Sequence, residues 1–184
     1  MANFTENAIK ESFLKLLAKH PLNEITVKSI TDECGINRNS FYYHYKGIPE
    51  LIEEIIIEHF DYLISKYPSI TSLNDGIKAA LNYALKNKVI LMHIYNSVNR
   101  ALFEQHLMKY FEHLVTLYIE TAFKGVTIRE SDKRLIIRLA KCELFGGYID
   151  WMNSGMPESI IDESERLFEI CEDFSLEVIK RCQV

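Results

Sequence analysis

Between Thr26 and Leu51 the chain reads TVKSITDECGINRNSFYYHYKGIPEL, two runs of about two turns each with a glycine between them. Neither run can hold itself helical in water, where an isolated helix needs roughly 12–15 residues, so each must lean on neighbouring helices. Thr26 is an N-cap residue, Val27, Ile30 and Cys34 fall on one side, and Gly35 stands where the chain leaves the first run through a left-handed conformation. Asn37 caps the second run, which extends from Arg38 to about Tyr45. Pro49, at a first-turn position, starts a longer helix carrying Leu51, Ile52, Ile55, Ile56, Phe60 and Leu63. A short helix, a tight turn and a second short helix form the geometry that presents a recognition helix to the major groove of DNA.

The second run holds Phe41, Tyr42, Tyr43, His44 and Tyr45 in succession. At helical spacing Phe41 and Tyr45 share one face, Asn39, Ser40 and Tyr43 centre on the opposite one, and Arg38, Tyr42 and His44 lie on the flanks. Two aromatics are therefore expected inward and two outward. The outward groups have natural uses on DNA: Arg38 for guanine acceptors or phosphate, Asn39 for adenine, Ser40 for groove edge or phosphate, and the tyrosines for phosphate and thymine methyls. The first residues of the helix after Lys46 are expected to offer free backbone N–H groups as a second phosphate grip.

Elsewhere the seven glycines and four prolines fall almost entirely between segments of helical period, which predicts an all-α chain. The opening segment places Ile9, Phe13, Leu16 and Leu17 behind a Thr5 cap and stops at His20-Pro21. After the turn-rich SKYPSITSLNDG, long helices are expected near residues 74–87, 88–99, 101–124, 131–154 and 157–182, with Gly125 and Gly155 as C-caps and Pro157 as a helix start.

Charge and cysteine usage narrow the class. The formal net charge is −5, yet residues 1–50 balance six Lys and Arg against six Asp and Glu, so the acidity lies in the remainder. Within residues 36–46, Arg38, Lys46 and His44 meet no acid, which concentrates positive potential on the FYYHY stretch. Cys34, Cys142, Cys171 and Cys182 form no CxxC pair, so neither zinc nor a disulfide framework is indicated and a reduced cytoplasmic setting is expected. No apolar run is long enough for a membrane span. No nucleophile triad, phosphate-binding glycine loop or carboxylate pair suggests an enzyme, and no metal or cofactor is implied.

TVKSITDECGINRNSFYYHYKGIPELI resembles the DNA-binding signature of the TetR family of bacterial transcriptional regulators, through Thr26, Ile30, Gly35, Ile36, Phe41, Tyr42, His44, Tyr45, Lys46 and Leu51. The resemblance implies a three-helix helix-turn-helix head, residues 1–47, joined to a larger helical ligand-binding and dimerisation bundle, residues 48–184. It implies that Thr26, Lys28, Arg38, Asn39, Ser40, Tyr42, Tyr43, His44 and Lys46 meet the bases or phosphates of a double-stranded operator. Gly47 and Ile48 depart from the family, which usually has a polar residue and a second lysine there; Thr31 stands for a small alanine and Asn37 for a serine.

For the remainder the resemblance implies a homodimer through the last two helices. Gly146-Gly147 in mid-helix weakens that helix, which makes sense where two helix backbones approach closely. A small-molecule effector would lie among the fifth to eighth helices, with His93, Asn96, Tyr110 and Tyr118 as candidate contacts. The expected function is a homodimeric regulator, a repressor released from a palindromic operator by that effector. A competing reading, kept open by the neutral head and by Gly47-Ile48, is a helical protein-interaction module with weak or no DNA binding.

Overall fold

The computed structural model describes residues 2–66, 73–122 and 124–182. Along them run α1 (Ala2–Leu17), α2 (Val27–Cys34), α3 (Arg38–His44), α4 (Ile48–Lys66), α5 (Leu73–Lys86), α6 (Lys88–Tyr95), α7 (Arg100–Ala122), α8 (Glu130–Asn153) and α9 (Ile160–Cys182), with a 3-10 turn at Leu22–Glu24. The fold is all-α, a helix-turn-helix head with a helical C-terminal domain. Of the turn-rich link expected after α4, residues 67–72 lie outside the described residues.

Three local expectations are corrected. Thr5 does not cap α1, which already begins at Ala2, since alanine is the strongest helix former and gains the extra turn. Tyr45 lies just past α3, extended at φ −133°, ψ 132°, although its ring still turns inward. Pro157 does not start α9. Met156 N–H donates to the Trp151 carbonyl at 2.9 Å and Gly155 N–H to the Met152 carbonyl at 3.1 Å, which closes α8 with a Schellman motif. Gly155 at φ +84° and then Met156 at φ +54° carry the chain backwards, so helix cannot resume before Ile160. A left-handed methionine costs roughly 1–2 kcal/mol. Complete burial of its side chain, and the Trp151 indole N–H donating to the Pro157 carbonyl at 2.9 Å, hold the turn in place.

The chain divides into two compact units. The first comprises Met1–Phe60 and Asn87–His106, the second Asp61–Lys86 and Leu107–Val184. In the first, α1 packs on α2 and α6, and α2 on α3. Its core gathers Ile9, Phe13 and Leu17 of α1, Ile30 of α2, Phe41 and Tyr45, and Leu51 and Ile52 of α4, each at most 1% exposed. Fully burying one such side chain contributes about 1.5–3 kcal/mol, which offsets the poor intrinsic stability of α2 and α3. Thr31 is buried as well, its hydroxyl donating to the Lys28 carbonyl at 3.0 Å, so α2 accommodates the larger residue without an unpaired group.

In the second unit α9 packs on α5 and α8, and Lys78 pairs with Glu165 across the α5–α9 contact. α7 is tied to α8 by Lys141–Glu112 at 2.5 Å, by Lys133–Glu120 at 3.3 Å and by the Phe111 and Tyr148 rings, 5.8 Å apart.

Candidate nucleic-acid interface

Local chemistry sets both short helices. At the start of α2 the Thr26 hydroxyl accepts from Ser29 N–H at 3.1 Å while Ser29 Oγ accepts from Thr26 N–H at 3.0 Å, a reciprocal capping box. Gly35 ends the helix at φ +71°, and Ile36 N–H closes on the Thr31 carbonyl at 3.1 Å. A side chain with a Cβ would be strained in that left-handed turn, which fixes glycine there. Asn37 Oδ1 then accepts from Ser40 N–H at 2.8 Å and caps α3. The turn between the two helices is thus specified at three successive points.

The aromatic run divides as the helical spacing requires. Phe41 is 0% and Tyr45 1% exposed, with ring centroids 5.8 Å apart in the core, whereas Tyr42 is 54% and Tyr43 82% exposed. A tyrosine ring left that far in water contributes little to folding. Arg38 and Asn39 are exposed beside them, and His44 is half-buried with its ring edge-on to Tyr43 at 5.1 Å. Lys46 follows, exposed, and Lys28 and Thr26 are exposed on and just before α2. Two of these groups are partly engaged at home. The Thr26 hydroxyl belongs to the capping box, and the Ser40 hydroxyl donates to Asn37 Oδ1 at 3.1 Å, leaving each with acceptor capacity.

The start of α4, where a second phosphate grip is expected, carries a proline and a carboxylate. Pro49 has no N–H, and the Glu50 carboxylate accepts from Lys46 N–H at 2.6 Å. The acid thus ties down the residue that precedes the helix, and a carboxylate at N3 also complements the positive end of the helix. The four-residue spacing from Lys46 to Glu50 carried that signal.

Behind the recognition helix lies a second feature not read from the sequence. The Lys10 ammonium sits between Glu6, Glu54 and Glu58 at 3.2, 2.5 and 2.7 Å. Only its i,i+4 pairing with Glu6 was legible, since the α4 carboxylates arrive from 44 and 48 residues away.

The candidate effector contacts are distributed over both units. His93 and Asn96 belong to the first unit, Tyr110 and Tyr118 to the second. His93 Nδ1 donates to the Leu17 carbonyl at 2.7 Å, satisfying an open carbonyl at the end of α1, and Asn96 is exposed at the C-cap of α6. Tyr110 is buried, Tyr118 is half-buried, and burial raises the Tyr118 hydroxyl above its usual pKa.

Residues 13–55, which hold the capped turn and the divided aromatic run, match the family described as bacterial regulatory proteins, tetR family. Residues 71–173, more than half of the chain, match the TetR-type transcriptional regulator C-terminal region. The chain belongs to the TetR family. It is a transcriptional regulator with a DNA-binding helix-turn-helix and not an enzyme. Over 55 residues it is 33% identical to the HTH-type transcriptional repressor KstR2 of Mycolicibacterium smegmatis, a match covering 30% of this chain and 27% of that protein. The matched stretch is thus little more than a quarter of that repressor's length. The fold is shared with the dihydroxyacetone kinase operon activator DhaS, at a TM-score of 0.70 and 21% identity over 98% of both chains. No helix among the described residues is long and apolar enough to cross a membrane.

Proposed function

We propose that this TetR-family regulator is a homodimeric repressor that reads a palindromic operator and is released by a small-molecule effector, with residues 1–47 as the DNA-binding head and 48–184 as the effector and dimer domain. The observation that carries the reading is the exposed row of Arg38, Asn39, Tyr42 and Tyr43 on a short helix whose opposite side is anchored by Phe41. Arg38 and Asn39 supply base-edge donors and acceptors, Tyr42, Tyr43 and His44 supply hydroxyl and ring edges, and Lys28 and Lys46 supply phosphate charge. Thr26 and Ser40 add acceptor oxygens close to the backbone.

Dimerisation is supported by the exposed apolar residues Leu135 and Leu139 of α8 and Leu167 and Ile170 of α9, from 52% to 67% exposed. Among the described residues Gly146 and Gly147 have open space where a Cβ would stand, which leaves room for the close approach of a second copy. Two heads on one dimer match two half-sites about 34 Å apart. The sign of regulation follows KstR2, which is named a repressor. Tyr110 and Tyr118, two turns apart on α7, are the effector contacts we favour, because the His93 Nδ1 proton already serves Leu17. An effector that binds better when the heads are mis-spaced lowers operator affinity by its difference in affinity for the two states.

Operator affinity measured by fluorescence anisotropy for the Tyr42→Phe, His44→Ala double variant tests the assignment. A loss supports it, and wild-type affinity would show that the wrong face had been chosen. A protein-interaction module is the second reading. The Glu50 carboxylate at the start of α4 and the uncharged balance of residues 1–50 favour it, and failure to bind any duplex would select it.

A further inference from the structure

Two helices and the end of the recognition helix meet at one ammonium. Lys10 of α1 is 8% exposed and hydrogen-bonds Glu6 one turn earlier on its own helix and Glu54 and Glu58 on α4. The three carboxylates lie within 4.8 Å of one another, a spacing at which they would repel without a cation between them. Burial works against the Lys10 charge, but the hydrogen bonds to Glu54, Glu58 and Glu6 outweigh it and hold the ammonium above its ordinary pKa. Tyr45 completes the group. It is 1% exposed, and its buried hydroxyl lies beside Lys10 and Glu54 and feels their charges.

A partly buried ion cluster is weak grounds for stability, because taking the charges out of water offsets much of their attraction. What it supplies is direction. Apolar burial of Phe41, Leu51 and Ile52 holds the helices together but is non-directional, so it tolerates sliding and rotation. Short charge-assisted hydrogen bonds do not. Because only Tyr45, Lys46 and Gly47 separate α3 from α4, the angle of α4 against α1 fixes where the recognition helix ends.

We infer that Lys10 is a positioning residue for DNA binding, its ammonium tying α4 to α1 so that the recognition helix is held at the angle the groove requires. The inference rests on the DNA-binding reading of the head. Lys10 does not serve as a phosphate contact, being buried among carboxylates.

The test uses full-length protein and a duplex that the wild type selects from a random library. Lys10→Met is expected to lose about tenfold or more in affinity while the slope of log affinity against log salt stays unchanged, whereas a lost phosphate contact lowers that slope by about 1. Lys10→Arg, which keeps the cation, is expected within about threefold of wild type, at most about half of the free-energy loss expected for Lys10→Met. The Glu54→Gln, Glu58→Gln double variant leaves the Lys10–Glu6 pair intact, guards against misfolding of α1, and should show the same loss. Wild-type affinity in both Lys10→Met and the double variant overturns the inference, as does a loss that Lys10→Arg does not restore or a fall in slope for Lys10→Met. If the wild type selects no duplex, the DNA-binding reading itself fails and takes the inference with it.

Discussion

The backbone N–H of Lys46 donates to Oε2 of Glu50 across 2.6 Å, so the cation just before α4 shares its turn with a carboxylate. A phosphate arriving there meets like charge. Glu50→Gln keeps an oxygen for the Lys46 N–H and removes the repulsion, and should tighten operator binding by several-fold, roughly 0.5–1 kcal/mol. Anisotropy titrations at low and high salt check this. The gain should shrink as salt screens the charge.

Phe41 and Tyr43 are two residues apart and should behave oppositely. Phe41→Ala removes a fully buried ring and should cost about 3–5 kcal/mol in urea unfolding. Tyr43→Ala, at 82% exposure, should stay within about 0.5 kcal/mol of wild-type stability yet weaken DNA binding. Equal stability losses for the two variants would refute the inward and outward division.

His59 couples stability to mild acid. Burial pushes its imidazole down to about 4, whereas an unfolded chain takes the proton near 6.5. Between those values the unfolded state binds more protons, so stability is complete above pH ~7 and falls as pH drops toward ~4, by about 3 kcal/mol at most. The Glu54 contribution is lost only lower still. Burial alone would raise its carboxyl, but the Lys10 hydrogen bond outweighs this and holds it below the usual range. Chemical denaturation at several pH values should therefore show a slope between pH ~7 and ~4 that flattens in His59→Gln.

Gly146 and Gly147 separate intrachain from interchain packing. Replacing both with alanine meets nothing within 4 Å among the described residues and should stabilise α8 by about 1 kcal/mol per site. If a second copy approaches there, the same change should loosen the dimer. Leu139→Glu, on the same exposed helix, should do so more strongly. Sedimentation across a concentration series reads both effects. An unchanged dimer in both variants would move the interface elsewhere.

Local signals made the helix-turn-helix legible before any coordinates. The Thr26 and Asn37 caps, the Gly35 exit and the four-residue spacing of Phe41 and Tyr45 act over distances that sequence reports directly. What stayed hidden depends on long-range closure. Glu54 and Glu58 reach Lys10 across more than forty residues, and His93 reaches the last carbonyl of α1 across 76. The Pro157 expectation failed for a related reason: proline favours a first helical turn, but the Trp151 indole claims its carbonyl and the left-handed Met156 delays the helix. His93 shows the same limit, since a histidine at helical spacing carries no mark of which carbonyl it will meet.

Selection from a random duplex library with the full-length protein, followed by anisotropy over a salt series, bears most directly on the central claim that the exposed face of α3 reads DNA. The expected result is an enriched palindrome with half-sites about 34 Å apart and an affinity that falls steeply with salt. No enriched sequence, or an affinity indifferent to salt, would contradict it and leave the head as a surface for protein partners.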